Sequence, residues 1–303
     1  MTTPEPPPSD LTARTPAALD AWFRRPFDAR ALELMQMPMR STDVVVATFP
    51  KSGTTWTQQI CHGLRSHGDM DFQEISWVCP WIENGHLFGV DASAPQRFEP
   101  RVFKTHLEYT NVNKGARYIH IVRDPKDVLV SFYGFLSGTV FDPEAISLDV
   151  FAEVWLLADQ LAERTDPTAP FGAHLYNYWR HLVDWWQARD AAPVLTLAYE
   201  NLRDDLPGHV DRIARFMGID ADPELLALAT RQATFEFMFA HRDRFADTIP
   251  GTPMRFDKVV NGKVGSHATR VSTELAERID SAWDRYVTPA IGIASYDAFR
   301  RRL

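Results

Sequence analysis

A chain of 303 residues, 45% hydrophobic and 24% charged, is long enough to bury a substantial core within one α/β domain. Its 32 basic and 40 acidic residues leave a net charge of −8, which argues against a broad nucleic-acid surface, although individual anion sites must still be basic. No run approaches the roughly 18 to 20 apolar residues that span a bilayer and no secretory apolar segment occurs at the start, so a cytoplasmic protein without membrane insertion is expected. Cys61 and Cys79 lie among apolar or helical neighbours and read as small core residues in a reducing compartment. No zinc-type Cys/His spacing and no internal repeat is present, so no metal is expected.

Taken in chain order, Thr2 to Pro16 is proline-rich and poor in apolar residues, which predicts a disordered segment over 1–16 ahead of one domain over 17–303. Val44 to Ala47 predict a strand over 43–49, and Ile60 and Leu64, one turn apart, predict a helix over 54–66. Strands follow over 101–104 and 117–122, then helices over 125–135, 147–164 and 173–188. A strand over 193–198 precedes helices over 206–217, 223–232 and 272–287. Strands alternating with helices predict an α/β fold with a central, mainly parallel sheet covered by helices on both faces. Ligands of such sheets sit at the carboxyl ends of the strands.

The first strand-to-helix turn, Thr48 to Trp56, reads Thr-Phe-Pro-Lys-Ser-Gly-Thr-Thr-Trp. Backbone N–H groups at a helix start lack intrahelical partners, and Gly53 lets the turn approach a phosphate, so Lys51, Ser52, Thr54 and Thr55 can surround one in a P-loop-like site. A kinase-type P-loop needs Gly-x-x-x-x-Gly-Lys-Ser/Thr, whereas Lys51 here precedes the glycine. Two further segments carry similar chemistry. Phe103-Lys104-Thr105-His106-Leu107 is a short extended run ending on a basic residue and a histidine, and residues 118 to 135 run from a strand through Arg123-Asp124-Pro125 into a helix.

These three segments, in this order and spacing, closely resemble the cytosolic type of sulfotransferase that uses 3′-phosphoadenosine-5′-phosphosulfate (PAPS) and moves its sulfuryl group to an acceptor hydroxyl or amine. The resemblance continues through Tyr176-Asn177-Tyr178-Trp179, Trp185-Trp186, and Val194 to Leu202, and reaches Glu277-Arg278, covering about residues 40 to 290. It implies that Lys51 stands beside the 5′-phosphosulfate, helped by Ser52, Gly53, Thr54 and Thr55. It implies His106 as general base, suited by an ordinary imidazole pKa of about 6.5, and Lys104 as a cation on the transferring group. Arg123 and Ser131 match residues that hold the 3′-phosphate, while Trp56, Tyr199, Thr234 and Phe235 match nucleotide contacts. Asp124, Lys126 and Asp127 read as helix-start and surface charges.

Departures from the pattern are specific. Glu108 stands where the family usually has proline, which is expected to reshape the acceptor entrance. Ala233 replaces a usual hydroxyl residue. The lid, commonly Arg-Lys-Gly-x-x-Gly-Asp-Trp, reads Val260-Asn261-Gly262-Lys263-Val264-Gly265-Ser266-His267, so both glycines remain and the cationic clamp is gone. Asn261 and Gly262 keep their place in the nucleotide site by position, and Lys258, Lys263 or Arg270 could replace the lost charge. The dimer signature is degraded, with Ala268, Ser272 and Thr273 in place of lysine, threonine and valine and only Glu277 kept, so a homodimer stays open. Trp77, Trp81, Phe88, Phe141 and Trp155 lie in segments that usually line the acceptor pocket, implying a small apolar or aromatic acceptor, though the same rings could equally be core. The expectation is thus PAPS-dependent sulfation of a small-molecule hydroxyl. The rivals are a P-loop-like nucleotide kinase and a nucleotide-binding module that has lost transfer activity.

Overall fold

The structure, a computed structural model, describes residues 12–158, 177–260 and 265–303. Helices α1 (Pro16–Phe23) and α2 (Ala29–Leu34) precede the first strand. Thr15 caps α1 by accepting the Ala18 N–H at 3.2 Å, and Pro16 occupies the first helical turn, where a missing N–H costs nothing. Ala13 donates to the Val140 carbonyl at 2.8 Å and accepts from Asp142 at 3.0 Å. Within the segment expected to be disordered over 1–16, those bonds and the cap hold residues 12–16. Residues 1–11 lie outside the described residues.

The domain is built on β1 (Val44–Thr48), followed by α3 (Thr54–Ser66), α4 (Ile75–Val78), β2 (Val102–Thr105), β3 (Arg117–Val122) and α5 (Pro125–Leu136). Next come α6 (Leu148–Trp155), α7 (Tyr178–Gln187), β4 (Val194–Ala198), α8 (Tyr199–Asp204), α9 (Leu206–Met217), α10 (Pro223–Gln232) and α11 (Phe235–Ala240). A small hairpin of β5 (Asp247–Thr248) and β6 (Arg255–Phe256) precedes α12 (Thr273–Tyr286), α13 (Thr288–Ile291) and α14 (Tyr296–Arg300). The first four strands form a parallel sheet in the order β2-β1-β3-β4, with Val44 opposite both Val102 and Arg117.

Alternation along β1 explains why its sequence is apolar throughout. Val44 and Val46 pack with Ile60 and Leu64 of α3 and Ile213 of α9, whereas Val45 and Ala47 pack with Phe103, Tyr118 and Trp185 of α7. Both faces are covered, so no position on this strand meets water. A third cluster joins Phe23, Phe132, Phe151, Trp155, Trp179 and Trp283 from α1, α5, α6, α7 and α12. At the amino ends of β1 and β2, Arg101 grips buried Asp43 through Nε at 2.9 Å and Nη2 at 2.5 Å, a forked pair that fixes their register.

Most predicted boundaries fall within a residue or two. The helix expected over 147–164 stops at Trp155, and its residues 159–164, like 173–176 of the next, lie outside the described residues. Helices α1, α2, α4, α8, α11, α13 and α14 and the β5–β6 hairpin were not expected. Each helix runs about two turns or less and each hairpin strand two residues, too few for an apolar period to repeat clearly, and α8 follows β4 with no residue between them.

Candidate active site

The turn after β1 reverses through two left-handed residues, Lys51 at φ 68° and Gly53 at φ 107°. Glycine is required at 53 for a second reason, since a Cβ there would stand 2.8 Å from Tyr199 Cδ2. Gly53 occupies the cap position of α3 without a side-chain bond, leaving the first-turn N–H groups of a 13-residue helix to an anion. Beside them the Ser52 hydroxyl is buried with no hydrogen-bond partner. Thr54 instead shares a hydrogen bond with Thr48 at 2.5 Å, which ties the helix start to the strand end. A glycine cradle, a row of helix-start donors and an orphaned hydroxyl fit a phosphate-bearing ligand.

Next to this turn lie three lysines. The Lys51 ammonium sits 3.7 Å from the centre of the Phe135 ring, and burial, followed by the nearby charges of Lys258, Arg123 and Lys104, holds its pKa down to about 7. Lys104, on β2, reaches Asp247 Oδ2 at 3.3 Å and lies 4.6 Å from the Trp81 ring centre. Lys258 reaches the same Asp247 oxygen at 2.5 Å, and burial, then Lys104, brings it also to about 7. Burial opposes ionisation of Asp247, yet Lys104, Lys258 and the hydroxyl of Ser76 keep its carboxyl well below the usual range.

His106 follows β2 directly. Its Nδ1 lies 2.8 Å from the Thr48 carbonyl, so in the neutral ring that nitrogen carries the proton and donates, and Nε2 bears the lone pair. Glu83 sets this geometry from behind: one carboxyl oxygen accepts the His106 backbone N–H at 2.7 Å and the other accepts the Thr105 hydroxyl at 2.9 Å. Burial raises the Glu83 pKa, and those donors partly offset the rise. Residues Pro80 to Ile82 bridge alongside Lys104, with Lys104 N–H donating to Pro80 at 2.8 Å and Ile82 N–H to Lys104 at 3.0 Å. Trp81 is thereby laid edge-on against His106, with ring centres 5.0 Å apart. Burial pushes His62 and His120 down to about 4 and about 3 and leaves them neutral in the core.

At the other end of the turn, Arg123 follows β3. Its Nη1 donates to the Lys51 carbonyl at 3.1 Å, and the guanidinium lies 4.5 Å from the Tyr199 ring centre. Asp127 corrects the sequence expectation of a surface charge: it is fully buried, lies 3.7 Å from Arg123 Nη2, and accepts the Gly265 N–H at 2.8 Å. That bond fastens the far end of the lid to α5, next to half-buried Ser131 on the same helix. Asp124 does cap α5, accepting the Lys126 N–H at 2.8 Å, and Lys126 pairs with Asp280. Trp56 donates its indole N–H to the Ala233 carbonyl at 2.7 Å and meets Tyr199 edge-on at 5.2 Å. Trp56, Tyr199 and the Ala233–Phe235 segment therefore converge. Thr234, however, uses its hydroxyl to cap α11, accepting the Phe237 N–H at 3.2 Å, while Phe235 is 39% exposed. Asn261 and Gly262 lie outside the described residues.

The five aromatic residues expected near an acceptor separate into three groups. Trp81 stacks on Phe88 at 5.9 Å, and two rings the sequence had not singled out continue the wall: Phe256 is 6.4 Å from Phe88 and 5.5 Å from Phe135. Phe135 then meets Lys51, so an arc of rings runs from His106 to that lysine. Phe141 and Trp155 are instead core, packed on Phe151, and Trp77 is 51% exposed. Glu108, expected to reshape the acceptor entrance, is buried and pairs with Arg180 of α7 through Nε at 2.6 Å. Ser272 caps α12 by accepting the Leu275 N–H at 3.1 Å. Among the described residues no helix is long and apolar enough to cross a membrane.

The chain is similar to known sulfotransferases in sequence and in fold. Guinea pig 3-beta-hydroxysteroid sulfotransferase is 28% identical over 256 residues, covering 81% of this chain and 83% of the relative. Rabbit amine sulfotransferase is 29% identical over 269 residues, covering 84% and 83%. Mouse sulfotransferase SULT7A1, solved in complex with PAP, has the same fold with a TM-score of 0.64 at 21% identity, covering 90% of this chain and 92% of that one. Residues 41–288 match the sulfotransferase domain, and with most of its length so matched the chain belongs to the sulfotransferase family.

Proposed function

We propose that this chain transfers the sulfuryl group of PAPS to a hydroxyl of a small aromatic or apolar acceptor, with His106 as general base. The observation that carries the reading is the His106 Nδ1 bond to Thr48 at 2.8 Å, which ties the histidine at the end of β2 to the end of β1, where the phosphate turn begins, with Nε2 as the proton acceptor. When bound, PAPS supplies an activated sulfuryl group on a phosphate that can leave.

Lys51, Ser52, Gly53, Thr55 and the helix-start N–H groups would hold its 5′ end. Arg123 and Ser131 would hold the 3′-phosphate, Trp56, Tyr199, Thr234 and Phe235 the adenosine, and Asn261 and Gly262 the lid side. His106 takes the acceptor proton, and Lys51 and Lys104 place positive charge where negative charge grows. The arc formed by Trp81, Phe88, Phe256 and Phe135 supports a flat acceptor. Family membership disfavours the nucleotide kinase, and the joint presence of His106, Lys51 and Lys104 supports transfer over mere binding. Free, buried Cys61 and Cys79 support a cytoplasmic setting.

Binding of adenosine 3′,5′-bisphosphate (PAP), the spent donor, tests the nucleotide half of this reading. Arg123→Ala removes a charge-assisted contact, so calorimetry should show a loss of about 1.5–3 kcal/mol with the fold intact by thermal melt. Equal affinities would remove Arg123 from the 3′-phosphate site.

The pH dependence has a definite sign. With Lys51 and Lys258 near 7 in the free protein, both are mostly protonated below that value and must take up protons to meet a dianion above it. PAP should therefore bind most tightly below pH about 7 and weaken as pH rises toward 9, by up to about tenfold per pH unit for each lysine that must be protonated. A titration series with flat affinity from pH 7 to 9 would contradict this.

A further inference from the structure

Lys258 follows β6 by two residues and reaches the end of β2 and α4. Its ammonium lies 2.5 Å from Asp247 Oδ2 and 3.5 Å from Ser76 Oγ, and Lys104 approaches the same two groups at 3.3 Å and 3.5 Å. Ser76 donates to the other Asp247 oxygen at 2.6 Å. The side chains of Lys258, Lys104 and Asp247 are only 9%, 4% and 5% exposed.

A structural ion pair in such a place needs one cation for one carboxylate. Here the groups that face Lys258 are Asp247 from β5, Lys104 from β2, Lys51 from the turn after β1 and the Ser76 hydroxyl from α4. With all three lysines protonated, three ammonium groups share the field of one carboxylate, with Lys51 carried on the phosphate turn itself. Surplus buried charge is costly unless an anion arrives to balance it. The arrangement therefore has room, in charge, for a ligand bearing two negative charges at the His106 end.

The lid complements this. Val260 is 57% exposed and uncharged, whereas Lys258, two residues earlier, is drawn inward. We propose that Lys258 is a donor-binding residue for the 5′-phosphosulfate end of the nucleotide, exchanging Asp247 for a donor oxygen, and that Asp247 holds Lys258 and Lys104 together until the anion binds. This rests on the donor reading above and deepens it. Recognition lost from the 3′ side of the lid is then replaced at the 5′ side, by a mobile point charge that needs no forked geometry.

The test compares two ligands that differ only at the 5′ position, PAP and adenosine 3′-phosphate, by calorimetry on wild type, Lys258→Ala and Lys258→Arg. Lys258→Ala should weaken PAP at least about tenfold and adenosine 3′-phosphate less than about twofold, and Lys258→Arg should recover part of the loss. Repeating the PAP titration at pH 8 in two buffers of different ionisation enthalpy should show proton uptake that falls by up to about one proton in Lys258→Ala. Equal losses for both ligands, or no loss for PAP, would overturn the assignment while leaving the donor reading intact. Wild type binding neither nucleotide would overturn both. Far-UV circular dichroism and a melt on each variant guard against unfolding as the cause of weak binding.

Discussion

Replacing His106 with alanine should lower turnover by about 10²–10⁴ while PAP affinity stays within about twofold of wild type. The split follows from position. His106 is anchored to Thr48 through Nδ1 and packed against Trp81, on the side proposed for the acceptor, whereas the phosphate turn is built by Lys51, Gly53 and Tyr199 without it. A structural histidine would behave differently: its loss would melt the strand end and weaken nucleotide and turnover together. Steady-state kinetics with any accepted alcohol, paired with PAP calorimetry on the same preparation, separates these outcomes. Full turnover in the variant would end the general-base assignment.

Trp155→Ala should destabilise the protein by about 3–5 kcal/mol, read as a shift in the denaturant midpoint. Trp155 is 1% exposed and stacks on Phe49 at 5.4 Å, with Phe132 at 4.7 Å and Phe151 at 5.4 Å. Removing the indole leaves a cavity at the junction of α1, α5 and α6, directly beneath the residue that starts the phosphate turn. A pocket-lining tryptophan would instead raise the acceptor KM with little change in stability, which is the outcome that would return Trp155 to the acceptor site.

The motifs were legible because each is local. A strand, a lysine, a glycine and a helix start within a dozen residues state their geometry directly, and the same holds for His106 at the end of β2 and Arg123 at the end of β3. What stayed hidden depends on distance along the chain. Asp247 meets Lys104 from 143 residues away, on a strand of two residues that shows no alternation, and Glu83 supports His106 from 23 residues upstream. Lys258 could be named from sequence as a spare charge, but its direction is set by Asp247. Asp127 looked like a helix-start charge because it lies in the first turn of α5; only the fold shows that Arg123 and Gly265 close over it. Trp155 and Trp81 are both tryptophans in segments associated with acceptor binding. One faces the core because α6 buries Phe151, Ala152 and Trp155 along one stripe, and the other faces the site because its backbone bridges Lys104.

Sulfuryl transfer is tested most directly by incubating the protein with PAPS labelled in the sulfuryl group and a panel of phenols, alcohols and amines, reading products by mass. The expected result is the label on an aromatic or apolar hydroxyl compound, with one PAP released per product and product formation falling by the same large factor in His106→Ala. Label found on amines alone would contradict the hydroxyl assignment, and PAP binding with no labelled product from any acceptor in the panel would contradict the assigned transfer to small molecules.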